Sequence, residues 1–404
     1  MRKLYTLISM VLAGTLSAQN IESSASTLNF PTTSEIQVNA GTVVLRNPGL
    51  YPIEVSDVDL FSIYGNEPFF IADTAFTIAP QDSFLLIVNF TPEHNIMHEM
   101  ALVVKTTTGF GHVGVELKAQ GSYSNNYYTS TQDLKEEALK AALKAKLAQG
   151  YQQQSYNGAR DEMYGSIDNN GGQVECVYTG RTATFNTRSG ANNNSFNCEH
   201  TYPQSLFNEN LPMKSDIHHL FSTDVTANSQ RGNLPFGVVS SASWSQGGSK
   251  KSSNVFEPRD AHKGACARAM MYFVIRYQDY SNFFAGQETI LRQWHNTFSP
   301  TTVEETRNND IYSVQSNRNP FVDYPQFEER ITHFVSNSTE VANASMYYSD
   351  DTIFTAKAVG RHDYHFIMYN DGNQDANFSG FALSDTSLHF TNGNPATFSL
   401  TPGQ

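Results

Sequence analysis

Positive charge is scarce in this chain. Its 404 residues hold 26 Lys and Arg against 39 Asp and Glu, a formal net charge of −13. A protein that coats nucleic acid through its overall field needs the opposite sign, so that class is excluded. Cysteine is scarce too, at three residues, which excludes a disulfide-dense scaffold. There is no Cys-x-x-Cys pair and no His-Glu-x-x-His helix, so the common zinc frameworks are disfavoured. Beyond the first twenty residues no apolar run approaches the roughly 20 residues of a membrane span. The mean hydropathy of −0.42 agrees.

Hydrophobic content of 39%, with 12% aromatics, is enough for real cores, and the length calls for two or three domains. Arg2 and Lys3, the apolar run Leu4 to Leu16, and Leu16-Ser17-Ala18 before Gln19 read as a secretory signal over residues 1–18. Export implies an extracellular or periplasmic, oxidising setting, in which cysteines can pair. Cys176 and Cys198 are close in sequence and are expected to bond, with Cys266 left as a buried thiol in a helix.

Residues 24–123 read as all-β. Short apolar runs alternate with Asn-Pro-Gly and Pro-Gln turns, and the spacing suggests an immunoglobulin-like sandwich. Val113, Val115, Leu117 and Ala119 alternate with smaller or polar residues, and Phe84 to Phe90 is a near-continuous apolar strand. The tail, 340–404, repeats the design. Asn47-Pro48-Gly49 corresponds to Asn370-Asp371-Gly372, and the stretch from Phe76 to Gln81 to that from Phe398 to Gln404. The second copy is expected to be an incomplete module, completed by a partner chain or cut from a longer product. Both β modules resemble the ASH-type immunoglobulin-fold modules of bacterial surface and secreted proteins. They are expected to serve adhesion, spacing or export, binding a surface or a partner protein.

The middle segment, 126–335, is mixed α and β and nearly balanced in charge, with 19 Lys and Arg against 21 Asp and Glu. Asp133 to Gln149 predicts a helix with Leu139, Leu143 and Leu147 on one face, Asp133 at its start and Gly150 at its end. Lys263 to Tyr280 predicts a second. The chemistry-bearing residues lie between them. Glu199 and Asn228 offer the hard oxygens that Mg²⁺ prefers, and Mn²⁺ or Ca²⁺ suits the same set. His200 can accept a proton from water near neutral pH. One difficulty is geometric. Adjacent residues of a regular strand point to opposite faces, so Glu199 and His200 share a site only where the strand bends or ends, as Pro203 suggests. Asp216-Ile217-His218-His219-Leu220 alternates as a strand would, with His218 in a structural role.

These blocks carry a family resemblance. Cys176-Val177-Tyr178-Thr179-Gly180, Asn197-Cys198-Glu199-His200 with Pro203-Gln204-Ser205, Asp216 to Leu220, Asn228 to Asn233 and Arg318 to Asp323 resemble, in order, the bacterial endonuclease I family of secreted nucleases. That family lies within the His-Me finger, or ββα-metal, superfamily. The resemblance implies an α+β nuclease domain flanked by the β modules. It implies a metal held by Glu199 and Asn228, His200 as general base, DNA as substrate with RNA left open, and 5′-phosphate products. One departure stands out. The family can place a phosphate-binding arginine between the two blocks, whereas this interval offers only Lys214, so that contact falls to Lys214, Arg231 or Arg268. The rival readings are a surface adhesin carrying an inactive nuclease-like domain and a zinc hydrolase in which His200, His218 and His219 meet.

Overall fold

The computed structural model describes residues 8–12, 20–62, 68–107, 111–277, 281–335 and 337–340, together with 342, 346–348, 362–370, 372–380, 388–390 and 397–401 in the C-terminal segment. The chain divides into two compact units, Met1–Asp133 with Val341–Gln404, and Leu134–Glu340. The expected all-β N-terminal region and α+β middle segment are both present. Among the described residues no helix is long and apolar enough to cross a membrane.

The first unit is built on strands β1 (Ile8–Leu12), β2 (Glu22–Ser23), β3 (Thr27–Asn29), β4 (Thr33–Ser34), β5 (Asn39–Arg46), β6 (Ile53–Ser62), β7 (Phe69–Ile71), β8 (Phe76–Ile78), β9 (Ser83–Phe90), β10 (Met97–Thr106) and β11 (His112–Ser122). One sheet runs β3-β11-β10-β6-β8 and the other β2-β5-β9-β7. Their inner faces enclose one apolar core that includes Val43, Leu45, Val88, Leu102, Val104 and Leu117. Burying each such side chain contributes about 1.5–3 kcal/mol. The strand expected to be apolar throughout is one-sided instead. Leu86, Val88 and Phe90 are buried, but Leu85 and Ile87 are 60% and 49% exposed, because alternate residues of a strand face opposite ways. Ile8–Leu12, inside the expected export signal, pairs antiparallel with His362–Phe366 and Leu388–Phe390.

The internal repeat is visible as hydrogen bonding. Asn47 Nδ2 donates to the carbonyls of Tyr51 and Ile78 at 2.8 and 2.9 Å, and Gly49 N–H donates to Asn47 Oδ1 at 3.0 Å. Asn370 Nδ2 donates to the carbonyls of Gln374 and Leu400 at 2.7 and 2.9 Å, and Gly372 N–H donates to Asn370 Oδ1 at 3.0 Å. In each copy one asparagine side chain pins a turn to a distant strand.

The second unit holds β12 (Asn169–Asn170), β13 (Gln173–Glu175), β14 (Thr182–Thr184), β15 (Phe196–His200) and β16 (Leu220–Asp224). Its helices include α1 (Glu136–Ala148), α2 (Tyr156–Glu162), α3 (Arg188–Asn193), α4 (Val225–Arg231), α5 (Asp260–Tyr277), α6 (Ser281–Ala285), α7 (Glu288–Thr297) and α8 (Thr302–Gln315). Helix α1 buries Leu139, Leu143 and Leu147 as its spacing requires. It begins at Glu136, not Asp133, and the Lys135 side chain at its N-cap makes no capping bond. Glu136 turns instead to Thr332, accepting its amide and hydroxyl at 2.8 and 2.6 Å. Gly150 takes φ +70° just past the helix end, which is open to glycine without strain.

Asp216 to Leu220 departs from the expected strand. Asp216 Oδ1 accepts the His218 amide at 3.2 Å and caps a 3₁₀ turn over Ile217–His219, so β16 starts only at Leu220. An aspartate that can bond the backbone two residues on favours such a turn over a ladder. Its Oδ2 accepts from Tyr272 Oη at 2.8 Å, and from Arg276 Nη1 and Tyr277 Oη at 2.7 Å each. Burial pushes the Asp216 pKa up, but Arg276 and the neighbouring histidines outweigh it and hold the carboxyl well below its usual range.

This unit also buries neutral imidazoles. Burial holds His200 and His262 down to about 3, and His218, His219 and His295 to about 4. An unfolded chain takes up protons at these groups as pH falls through about 6.5, while the folded unit does not. Stability should therefore fall steadily from pH 6.5 towards 4. Trp244 and Trp294, the chain's two tryptophans, both lie in this unit. Urea midpoints followed by tryptophan fluorescence should drop across that window; a midpoint constant from pH 7 to 4.5 would contradict the buried-histidine account.

Candidate active site

The site grows from the antiparallel pair β15–β16 and the helix that follows it. The register places His200 opposite Leu220, Glu199 opposite Phe221 and Cys198 opposite Ser222. Asp224 ends β16 and caps α4, its Oδ1 accepting the Ala227 amide at 2.7 Å. That cap fixes Asn228 one turn into the helix, beside β15.

Asn197 and Glu199 leave one face of β15. Glu199 Oε1 accepts from Tyr178 Oη at 2.7 Å and lies 3.3 Å from Arg231 Nη1. Burial raises the Glu199 pKa, while Arg231 and Tyr178 pull it down. Asn228 Nδ2 donates to Asn197 Oδ1 at 2.9 Å and to the Cys198 carbonyl at 3.2 Å, which turns its amide oxygen away from the strand. Arg231, 1% exposed, is spent on structure. Its Nη1 donates to the His200 and Gly232 carbonyls at 3.2 and 3.1 Å and its Nη2 to Thr201 at 2.6 Å, and it lies over the Phe236 ring.

Cys198 and His200 leave the other face. The His200 ring lies 5.5 Å from that of Tyr156 and 5.6 Å from that of His219. His200 Nε2 lies 3.1 Å from the Lys214 carbonyl, which can only accept, so Nε2 carries the proton and Nδ1 keeps the lone pair. Burial holds this imidazole neutral. Its tautomer is fixed. The structure therefore brings Glu199 towards Asn228 but sets His200 on the opposite face, as strand alternation dictates.

The remaining cations divide. Arg268 is 1% exposed and closed on Glu304, at 2.6 and 2.7 Å, and on the Phe298 carbonyl at 2.8 Å, so it props α5 against α8. Lys214 reaches solvent and pairs with Glu209. The histidines expected of a zinc site are engaged otherwise, His218 Nε2 on the Asn317 carbonyl at 3.1 Å and His219 Nε2 on the Met213 carbonyl at 2.6 Å. Among the described residues no group of three or more His, Cys, Asp and Glu could hold a metal. The Glu199–Asn228 oxygen pair fits a hydrated hard cation all the same. Asn228 presents its amide oxygen, and the bonds of Glu199 fall on Oε1, leaving Oε2 for a ligand role. Tyr178 and Asn197, which orient these two, were not foreseen as site residues; both lie in the family-like blocks, but neither carries a chemical signature of its own.

The expected Cys176–Cys198 bond is not formed, and all three cysteines are buried free thiols. The reason is topological. Val177 N–H donates to the Ser222 carbonyl at 3.0 Å while Cys198 pairs with Ser222 from the other side, so β16 runs between the two cysteines. Two strand spacings separate them by roughly 10 Å, beyond the about 7 Å limit for bridging.

Residues 135–326 match the Endonuclease I family. The extracellular ribonuclease of Bacillus subtilis (strain 168) is 27% identical over 228 residues, 52% of this chain and 78% of that protein. That of Bacillus amyloliquefaciens is 27% identical over 245 residues, 56% of this chain and 84% of that protein. Among solved structures, the ASH / PapD-like domain of human CEP192 aligns with 27% of this chain and 89% of its own, at 11% identity and a TM-score of 0.23.

If β16 separates the cysteines, the protein carries no internal bridge. Alkylation of urea-unfolded, non-reduced protein should label three thiols per chain; one labelled thiol would show that Cys176 and Cys198 are joined after all.

Proposed function

We propose that this chain is a secreted, divalent-cation-dependent endonuclease that hydrolyses phosphodiester bonds in DNA, and in RNA, with little sequence selectivity. The observation that carries the reading is the end of β15. There an oxygen pair, Glu199 and Asn228, and a neutral imidazole with its proton pinned to the Lys214 carbonyl flank one strand terminus. The order strand, strand, helix around them supports the reading of a ββα-metal core. Export fits the N-terminal signal proposed for residues 1–18 and the extracellular relatives.

His200 Nδ1 takes a proton from the water that attacks phosphorus, and the Nε2 contact with the Lys214 carbonyl leaves that nitrogen's lone pair free to accept it. Glu199 and Asn228 would hold a divalent cation, Mg²⁺ or Mn²⁺ or Ca²⁺, and when bound it would supply charge to offset the phosphate and the departing 3′-oxygen. Tyr178 and Arg231 fix the Glu199 carboxylate. Because the base and the oxygen pair lie on opposite faces, the scissile phosphate has to cross the C-terminal end of β15 to meet both. That same placement is what favours the rival reading, an adhesin with an inactive nuclease-like domain.

His200→Ala should lower the rate roughly 100-fold or more while leaving cation binding nearly unchanged, with folding at pH 7.5 checked by tryptophan fluorescence. Near-normal nicking by the folded variant would remove His200 from the mechanism. The pH profile adds a second reading. With His200 held near 3, kcat/KM should show no inflection near pH 6.5 over the range where the protein stays folded. An acid limb centred there, abolished in His200→Ala, would contradict the buried neutral base.

A further inference from the structure

The interval between the two motif blocks holds no arginine, but one from an earlier helix, Arg160, lies near the proposed base. Helix α2 is capped by Ser155, whose Oγ accepts the Gly158 amide at 3.0 Å. Four-residue spacing puts Tyr156 and Arg160 on one face of it. The Arg160 guanidinium carbon lies 4.3 Å from the centre of the Tyr156 ring, and Lys214 Nζ lies 5.2 Å from the same centre. The His200 ring is 5.5 Å from that ring. Two cations and the proposed base are thus gathered on one aromatic side chain.

Arg160 is unlike most arginines of this unit. Arg181, Arg188, Arg259, Arg268 and Arg276 each face a carboxylate. Arg160 has no carboxylate partner among the described residues; the adjacent Asp161 is taken by Arg188. Its hydrogen bond is one from Nη2 to Asn157 Oδ1 at 2.7 Å, and its Nε is buried without a partner. A desolvated donor left unpaired costs about 1–3 kcal/mol, a cost that an anion arriving at the guanidinium would offset. Guanidinium and ammonium groups both suit phosphate oxygens, the first as a fork and the second as a point charge.

We propose that Arg160 and Lys214, positioned by Tyr156, form a clamp for a backbone phosphate of the nucleic-acid substrate on the His200 side of β15. The proposal rests on the nuclease reading. Glu209 holds Lys214 when no substrate is bound, and the phosphate takes its place. The clamp is absent from the motif because α2 precedes it by some forty residues in sequence and meets it only through the fold.

The test is binding of a fluorescein-labelled duplex oligonucleotide to the full chain in EDTA, across a series of NaCl concentrations, with tryptophan fluorescence as the check on folding. Arg160→Gln and Lys214→Gln should each weaken binding about tenfold and reduce the slope of log K against log salt by roughly 0.9. Arg160→Lys should keep most of the affinity. Glu209→Gln, at an exposed position that leaves folding intact, should tighten binding by freeing Lys214. Wild-type binding with slopes unchanged in both Gln variants, or Glu209→Gln without tightening, overturns the clamp and leaves the nuclease reading in place. A wild-type chain that neither binds nor cleaves overturns the nuclease reading, and the clamp with it.

Discussion

A single buried guanidinium holds the end of β15 in place. Arg231 reaches the carbonyls of His200, Thr201 and Gly232 and stands against Glu199. A charge taken out of water is tolerated only when it is paired and hydrogen-bonded, so each of these contacts depends on the others. Because Arg231 is the last residue of α4, the same clamp sets where Asn228 stands. The two oxygen donors and the carbonyl of the proposed base are therefore tied through one side chain. Its cost is that Arg231 is withdrawn from substrate. The same holds for Arg268, which is locked to Glu304, and the phosphate contact has to come from elsewhere.

Much of the fold was legible because the signals were local and periodic. Leu139, Leu143 and Leu147 predicted the buried face of α1, and Val115, Leu117 and Ala119 that of β11. The repeat was legible in its turn residues, and the structure shows why. Asn47 and Asn370 each satisfy one carbonyl four residues on and one on a distant strand, so the asparagine has the same role in both copies. The failures were of a different kind. Asp216 reads as a strand residue by alternation, but its side chain competes for the backbone and makes a turn. Cys176 and Cys198 are near in sequence yet lie on either side of β16, which no spacing rule reveals.

The candidate site was legible as a set of residue types and opaque as geometry. Glu199, His200 and Asn228 stood out by their chemistry. Their supporting residues, Tyr178, Asn197, Tyr156 and Arg160, come from segments well before the motif or carry no distinctive signature, and only the fold brings them in. The alternation of β15 was a warning already present in the sequence. It is realised here, with Glu199 facing Tyr178 and His200 facing Tyr156.

The claim that these two faces serve one reaction at the strand end is tested most directly by supercoiled plasmid. Purified full-length protein is incubated with plasmid and Mg²⁺, and in parallel with excess EDTA. Conversion to nicked and linear forms with the cation, and none with EDTA, is the predicted result. Intact plasmid in both, from a protein that is folded by tryptophan fluorescence, or cleavage that EDTA leaves untouched, would contradict the account.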